Sequence, residues 1–157
     1  MGKSNVRLDY NELKKLKERI MLFGDPTQMD KFFESCAKEL AARLLSKVIK
    51  RTPVGEYPAE TGKKGGTLRR GWTNGKSSNA TAYANSLTLN KVGSDYVIEI
   101  INPVEYASYV EYGHRTRNHK GWVEGKFMLT ISEDELRRSA PHILQKKLEK
   151  YLKGCFQ

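Results

Sequence analysis

The chain has 157 residues, the length of one ordinary domain, with 38% hydrophobic and 29% charged residues, so a disordered protein or a second complete domain is not expected. No apolar run approaches the roughly 20 residues that cross a bilayer, and the N-terminus MGKSNVRLDY lacks the apolar stretch of a secretion signal, which predicts a protein of the cytoplasm. The net charge of +10 is uneven, since residues 1–76 carry 17 basic and nine acidic side chains against 11 and nine in residues 77–157.

The first part of the chain carries two amphipathic helical patterns. Residues 9–23 place Leu13, Leu16 and Ile20 on one face, which predicts a short N-terminal helix. The next segment, DPTQMDKFFESCAKELAARLLSKVIKRTP, offers Asp25 as a cap and stops before Pro53, which predicts one long helix. Its apolar residues recur every three to four positions: Phe33, Cys36, Leu40, Leu44 and Val48.

Residues 54–80 are rich in glycine, serine, proline and basic residues, which predicts a long basic loop. Within it, residues 61–76 hold five basic side chains and no acid, and could contact phosphates, an acidic protein face or solvent. Only TLRRGW favours a turn of helix, with Leu68 and Trp72 as buried anchors and the arginines between them pointing outward. The sheet and the C-terminal helix are expected in residues 81–153.

Two strand-like stretches follow, AYANSLTLN and DYVIEIIN, and the connection KVGS with Gly93 predicts a β-hairpin. Both faces of the second stretch are largely apolar, with Tyr96, Ile98 and Ile100 on one side. We therefore expect this strand to be covered on both faces.

The segment VEYASYVEYG, closed by Gly113, predicts one or two helical turns, and GWVEGKFMLTIS either a short strand or the lead into the last helix. Ser132 with Glu135 predicts a capping box, and Pro141 a kink or a restart at Ser139. The later part has an apolar stripe. The predicted fold class is α+β: a small antiparallel sheet packed by the long helix and the C-terminal helix, with the basic loop and the short N-terminal helix added.

A catalytic site is not predicted. His114 and His119 lie five residues apart in a loop whose arginines would repel a divalent cation, and no paired-acid motif accompanies Glu105 and Glu111. Cys36 lies in an apolar helical stripe, so it and Cys155 are expected to be free thiols rather than metal ligands or nucleophiles. The stretch TGKKGGTLRRG lacks the spacing of a phosphate-binding loop. No metal ion or cofactor is expected.

Tyr106, Tyr109 and Tyr112 follow one another at steps of three residues. This spacing is typical of a core stripe whose hydroxyls reach the surface. Tyrosine and arginine are also enriched at protein interfaces. With Trp122 beyond, the region offers more large aromatic side chains than a small core needs, so we expect one edge to be buried and the other to meet a neighbour.

Two segments resemble a known family. The stretch RTPVGEYPAETGKKGGTLRRGW resembles the pattern APVDTGxLRxS, and VEYASYVEYGHRTR resembles YAxYVExGT, of the gene-product-ten-like minor tail component family of tailed bacteriophages and prophages. The likeness runs from about Met29 to Lys153. GWVEGKFMLTISEDEL and LQKKLEKYLKG are similar to the branch of contractile-tailed phages. The chain departs from the family where VGEYPAETGKKGG replaces a shorter VDTG.

The resemblance implies a structural protein of the phage neck, a tail-completion or tail-terminator component with an α/β fold and a ring of six subunits. Implied partners are copies of the same chain, tail-tube and sheath proteins, and head-tail connector or adaptor proteins. DNA would be met only in passage through the ring, and no membrane is involved. The implied location is the tail or neck of the virion, assembled in the cytoplasm of a host bacterium.

The helix that carries the tyrosines, together with the basic residues that follow it, is expected to form one side of a subunit interface. The loop over 54–80 is expected to be an arm that contacts the tail tube or the connector. The alternative is a sequence-independent nucleic-acid-binding module, and a metal-dependent nuclease using His114 or His119 comes third. The residues predicted for the subunit or partner interface are Lys63, Lys64, Leu68, Arg69, Arg70, Trp72, Tyr106, Tyr109, Glu111, Tyr112, His114, Arg115, Arg117 and Trp122.

Overall fold

The computed structural model describes Asn11 and residues 25–76 and 79–155. Apart from Asn11, the predicted N-terminal helix over 9–23 lies outside the described residues. The elements in chain order are α1 (Pro26–Arg51), a 3-10 turn (Ala59–Thr61), α2 (Thr67–Gly71), α3 (Ala80–Ser86), β1 (Asn90–Val92), β2 (Asp95–Val97), α4 (Ala107–Tyr112), β3 (Gly113–Arg115), β4 (Trp122–Glu124) and α5 (Met128–Cys155).

The α+β class is confirmed, with the strands divided between two small sheets. Strands β1 and β2 form one antiparallel pair, and β3 and β4 form the other. The two long helices, α1 and α5, pack against each other, and α3 packs against α1. Within the described ranges, no helix combines the length and apolar content needed to cross a membrane.

Helix α1 forms as the apolar periodicity predicts. The Asp25 side chain accepts a hydrogen bond from Thr27 N at 2.9 Å, so it caps the first turn. The helix ends at Arg51, and Thr52 is extended because it precedes Pro53. Its buried face holds all five predicted core residues and adds Met29, Phe32, Ala41, Ala42 and Leu45.

Helix α5 supplies the other half of the core. It runs without interruption through Pro141, so the predicted restart at Ser139 is wrong, and the Ser139 hydroxyl donates to Glu135 O within the helix. Burial of this face against α1 offsets the backbone hydrogen bond that a proline removes. The face is formed by Met128, Leu129, Leu136, Ala140 and Leu144, with Leu148 and Tyr151 partly buried beside them.

The start of α5 is capped by a residue from another element. Glu111, 1% exposed at the end of α4, accepts hydrogen bonds from Leu129 N and Thr130 N, each at 2.9 Å, and from Thr130 Oγ1 at 2.7 Å. These are amides that a helix start leaves without partners, and its positive dipole end favours a carboxylate. The predicted capping box at Ser132 is therefore wrong: Ser132 lies inside the helix and donates to Met128 O.

The predicted strand AYANSLTLN is also wrong over most of its length. Residues 80–86 form α3, because the Asn79 side chain caps the helix by accepting from Thr81 N and Ala82 N. Ala84 is buried, and α3 lies on α1. The apolar residues of this stretch thus follow a helical face, which short alternation cannot distinguish from a strand.

The hairpin around Gly93 is confirmed, with Asn90 opposite Val97 and Gly93 at φ +63°. Strand β2 ends at Val97, and its residues are half-buried, so the expectation of a strand covered on both faces is wrong. One face is packed: the Tyr96 ring lies 5.8 Å from the Phe33 ring in α1. Farther along, Ile100 is buried outside the strand.

Thr52 joins the end of α1 to α2 and α5. Its hydroxyl donates to Val48 O at 2.6 Å and accepts from the buried Trp72 Nε1 at 2.7 Å, and its Oγ1 lies 3.4 Å from Met128 Sδ. Its carbonyl oxygen accepts from Arg69 Nε and Nη2 at 3.1 and 2.7 Å. A guanidinium at a helix C-terminus is favoured by the helix dipole. The predicted turn of helix at TLRRGW is confirmed, but Arg69 binds this junction instead of pointing outward.

Two groups of ion pairs join the long helices. Glu135 of α5 accepts from Lys47 at 2.9 Å and from Arg51 at 2.6 Å. Glu39 of α1 accepts from Lys147 of α5 at 2.7 Å and from Arg43 of its own helix at 2.9 Å. Because each carboxylate bonds at least one long side chain of the opposite helix, these contacts fix the position of α5 along α1.

Replacing Thr52 with valine tests the junction. Thr52→Val keeps the shape but leaves Trp72 Nε1 buried without an acceptor, so we expect a loss of about 2 kcal/mol in the free energy of unfolding, measured by urea denaturation. Thr88→Val, at an exposed threonine, is the control, with an expected change within about 0.5 kcal/mol. Equal values for the two variants would contradict the role of Thr52.

Replacing Glu111 with glutamine tests the helix cap. Glu111→Gln removes the charge and turns one acceptor oxygen into an amide donor facing the α5 amides, so we expect a loss of about 2 to 3 kcal/mol in urea denaturation. Glu105→Gln, at an exposed position of the same segment, is the matched control and should be nearly neutral. A neutral Glu111→Gln would show that α5 does not need this carboxylate.

The ion pairs predict acid sensitivity. Burial raises the pKa of Glu39, but hydrogen bonds from Lys147 and Arg43 outweigh it and bring the pKa below its ordinary 4.5. Hydrogen bonds from Lys47 and then Arg51 likewise lower the pKa of Glu135. A depressed folded-state pKa contributes stability above pH 4.5 that is lost as the pH falls through the folded value.

The double variant Glu39→Gln/Glu135→Gln should therefore be less stable than the parent near neutral pH, and its unfolding free energy should fall less steeply below pH 4.5. Chemical denaturation at a series of pH values measures this slope. The control is Glu99→Gln/Glu105→Gln, two exposed carboxylates without an ion pair among the described residues. Identical slopes for the parent and the first double variant would contradict the prediction.

Candidate oligomerisation surface

Helix α4 and the β3–β4 hairpin form one continuous unit that presents aromatic side chains to solvent. Tyr106, Tyr109, Tyr112 and Trp122 are between 45% and 58% exposed. The tyrosines therefore do not form a fully buried core stripe, and about half of each side chain is exposed. The residues that α4 buries are Ala107 and Glu111, because the cap of α5 draws this face inward.

Two glycines let the hairpin lie close against the end of α4. Gly113 has φ +86°, and a Cβ there would lie 2.5 Å from Val123 O and 3.0 Å from the Trp122 ring. A Cβ on Gly125 would overlap the backbone of Glu111 and Tyr112. The chain then returns along α4, where Lys126 N donates to Val110 O and Phe127 N to Glu111 O. The aromatic side chains thus stand on a backbone held from both ends.

Two of the exposed tyrosines contact other rings of this unit. The Tyr109 ring lies 5.8 Å from the His114 ring, and His114 itself is half-buried. The Tyr112 ring lies 6.5 Å from the Phe127 ring, edge to face. In the hairpin register, Trp122 is opposite Arg115. We call this set, with the basic hairpin tip described next, the aromatic-basic face.

The tip of the hairpin, residues 116–121, is an ordered basic turn. Thr116 N donates to Gly121 O at 3.0 Å, and the Thr116 hydroxyl donates to Asn118 Oδ1 at 2.6 Å. These bonds leave the neighbouring cations exposed, namely Arg115, Arg117, His119 and Lys120. Among the described residues, none of the three arginine and lysine side chains forms an ion pair.

The structure divides the other predicted interface residues into interior and exposed positions. Leu68 is 4% exposed, and Trp72 and Glu111 are each 1% exposed. The prediction that these three residues lie at an interface is therefore corrected, because they belong to the core and to the α5 cap. Arg69 is half-buried on Thr52. Arg70 is exposed and donates to Gly65 O, and Lys63 and Lys64 are exposed.

Three exposed apolar residues near this surface were not predicted from the sequence. Val123, Phe127 and Ile131 are each about 40% exposed, and Phe127 touches the Tyr112 ring. The α5 periodicity carried a signal for Ile131, because it lies off the stripe formed by Met128, Leu136 and Ala140. Nothing in the sequence pattern indicated Phe127, whose φ of +45° depends on the bonds of this turn to α4.

The arrangement has no evident catalytic group. No cluster of three metal-ligating side chains occurs in the part of the chain that the structure describes. Burial raises the pKa of the Cys36 thiol to about 12, so it is not a thiolate at neutral pH, and the Glu111 carboxylate is committed to three hydrogen bonds. The aromatic-basic face is instead suited to binding a macromolecule, because tyrosine, tryptophan and arginine are the residues enriched at interfaces.

Comparison with protein families supports this conclusion. Residues 14–113 match the family described as "Bacteriophage HK97-gp10, putative tail-component". This match covers more than half of the chain and includes α1, α2 and α4. Neither the curated proteins nor the solved structures gave a match. The chain belongs to the HK97 gp10-like family of bacteriophage tail components, which are structural proteins of the virion.

Proposed function

We propose that this tail component is a tail-completion or tail-terminator protein of the phage neck. It forms a ring at the head-proximal end of the tail, with about six copies, and joins the tail to the head connector. The observation that carries the proposal is the aromatic-basic face, where four large aromatic side chains are about half exposed on a rigid support. Contiguous apolar patches of this kind mark interaction sites on proteins.

The face is suited to contact between copies of the chain. In a ring, each subunit uses one face toward one neighbour and a different face toward the other. Exposed tyrosines and a tryptophan can fill the centre of such a contact, with Arg115 and Arg117 at its rim. The half-buried His114 packs on Tyr109 and stiffens the centre.

The segment over 54–66 is the part of the predicted basic loop that is proposed to meet other tail proteins. The backbones of Gly55 and Gly65 touch, because a Cβ on Gly65 would overlap Gly55 O, so the loop is closed at its base. Lys63 and Lys64 are exposed, and Lys63 Nζ lies over the Tyr57 ring, 6.0 Å from its centre. We assign these lysines to the tail-tube and sheath proteins or to the connector, in the contractile-tail branch that the sequence resembles.

A nucleic-acid-binding module remains the alternative, and one observation weighs against it. The cations that this module would use are Lys63, Lys64, Arg69, Arg70, Arg115 and Arg117. Of these, Arg69 is bound to the Thr52 carbonyl and Arg70 donates to Gly65 O. DNA passing through a ring needs only weak contacts that do not depend on sequence. Tight DNA binding is therefore not expected.

Light scattering of the purified protein tests the ring, across concentration and with or without the cognate tail-tube protein. We expect a discrete oligomer of about six copies, alone or on the tube. A monomer that is inert to tube and connector proteins but shifts DNA at moderate salt would overturn the proposal in favour of the nucleic-acid module.

The double variant Tyr109→Ser/Trp122→Ser should weaken assembly by at least about 30-fold in concentration, because truncating central aromatic residues costs 2 kcal/mol or more. The fold should be retained, since both side chains are more than half exposed, and circular dichroism would verify it. Val92→Ser, at an exposed valine of the other hairpin, is the control and should assemble normally. Unchanged assembly of the double variant would exclude this face from the interface.

A further inference from the structure

The closed loop over 54–66 has an acidic side as well as a basic one. Residues 54–60, which we call the acidic limb, hold Glu56 and Glu60 and no cation. The limb also exposes two apolar side chains, Val54 at 42% and Tyr57 at 51%. The 3-10 turn Ala59–Thr61 and Gly62 at φ +62° then reverse the chain toward Lys63 and Lys64. The limb is thus an exposed segment with both charge and apolar area.

The acids of the acidic limb form no ion pair within the described part of their own chain. Most acids of α1 and α5 form ion pairs, as Glu39 and Glu135 do. Among the described residues, Glu56 and Glu60 form none, and neither do Arg115, Arg117 and Lys120 of the hairpin. No ion pair joins the limb to the hairpin within one copy. The described chain therefore carries two separate, oppositely charged segments, each with exposed aromatic residues.

We propose that the acidic limb of one copy docks on the aromatic-basic face of the next copy. Glu56 and Glu60 would meet Arg115 and Arg117, whose guanidinium groups can bind carboxylates through paired hydrogen bonds. Val54 and Tyr57 would pack on the exposed tyrosines and Trp122. Because the limb and the face are different surfaces, each copy offers one to each neighbour, which is the heterologous contact that a ring requires. This inference rests on the proposed ring.

The inference also gives a role to the longer first loop. Where the family pattern has the short VDTG, this chain has VGEYPAETGKKGG, and the inserted residues include both acids and Tyr57. The loop is closed by Gly55 and Gly65, so the conformation of the limb is fixed before a neighbouring copy binds, and the limb does not have to order from a flexible chain. Lys63 lies over the Tyr57 ring and would adjoin this contact, whereas Lys64 on the returning side stays available to other tail proteins.

Charge reversal tests the pairing. Glu56→Lys/Glu60→Lys and Arg115→Glu/Arg117→Glu each place like charges at every contact, so each variant alone should need a roughly 100-fold higher concentration to assemble. An equimolar mixture of the two should assemble, because a ring of alternating variants with an even number of copies pairs opposite charges at every interface. Light scattering measures all three samples under the condition in which the parent assembles.

Lys146→Glu/Lys150→Glu is the matched control for the arginine reversal, since it makes the same change in net charge at two exposed lysines of α5 and should leave assembly unchanged. Circular dichroism of each variant would verify folding. Normal assembly of either reversal variant, or failure of the mixture to assemble, would overturn the pairing while leaving the ring proposal intact. A parent chain that stays monomeric alone and with the tail-tube protein would overturn the ring itself.

Discussion

The candidate surface depends on one buried carboxylate. Glu111 bonds the first amides of α5 and so ties the short helix α4 to the longest helix of the chain. Since α4 ends one residue later, this bond also fixes where the β3–β4 hairpin begins. The hairpin returns to α4 through the backbone of Lys126 and Phe127, so the aromatic-basic face is held at both ends. A loop without these bonds would have to become ordered when a partner bound, and the loss of its conformational entropy would weaken binding.

Thr52 has the equivalent role at the end of α1. Its side chain and carbonyl accept bonds from Trp72 and Arg69, and together these satisfy the end of α1 without exposing a polar group in the interior. Several residues by which the chain resembles its family, including Arg69, Glu111 and Gly113, therefore hold the framework. The same pattern also contains Tyr106 and Tyr109, which are exposed. The family pattern thus combines residues that hold the fold with residues that a partner could meet.

Prediction from the sequence succeeded where one local signal dominated. The five apolar residues of α1 and the stop before Pro53 were correct, because a 26-residue amphipathic helix averages over many positions. Prediction failed where a residue distant in the sequence determined the local structure. AYANSLTLN became a helix through the Asn79 cap and packing on α1, and Ser132 lost the capping role to Glu111 from another element. The tyrosines at steps of three were expected to bury one edge and offer the other to a neighbour, but the pattern did not indicate that the residue which α4 buries most deeply is the glutamate between them.

The sequence by itself determined the α+β class, the long helix, the turn of helix at TLRRGW and the family, because hydrophobic period, proline and glycine positions and short motifs act over a few residues. Only the tertiary structure decided which polar side chains are interior and which face a partner. Arg69 and Arg70 are neighbours in sequence, yet one binds a helix end and the other faces solvent. Burial of a polar group depends on whether a bonding partner from elsewhere in the chain reaches it, and this information is not local.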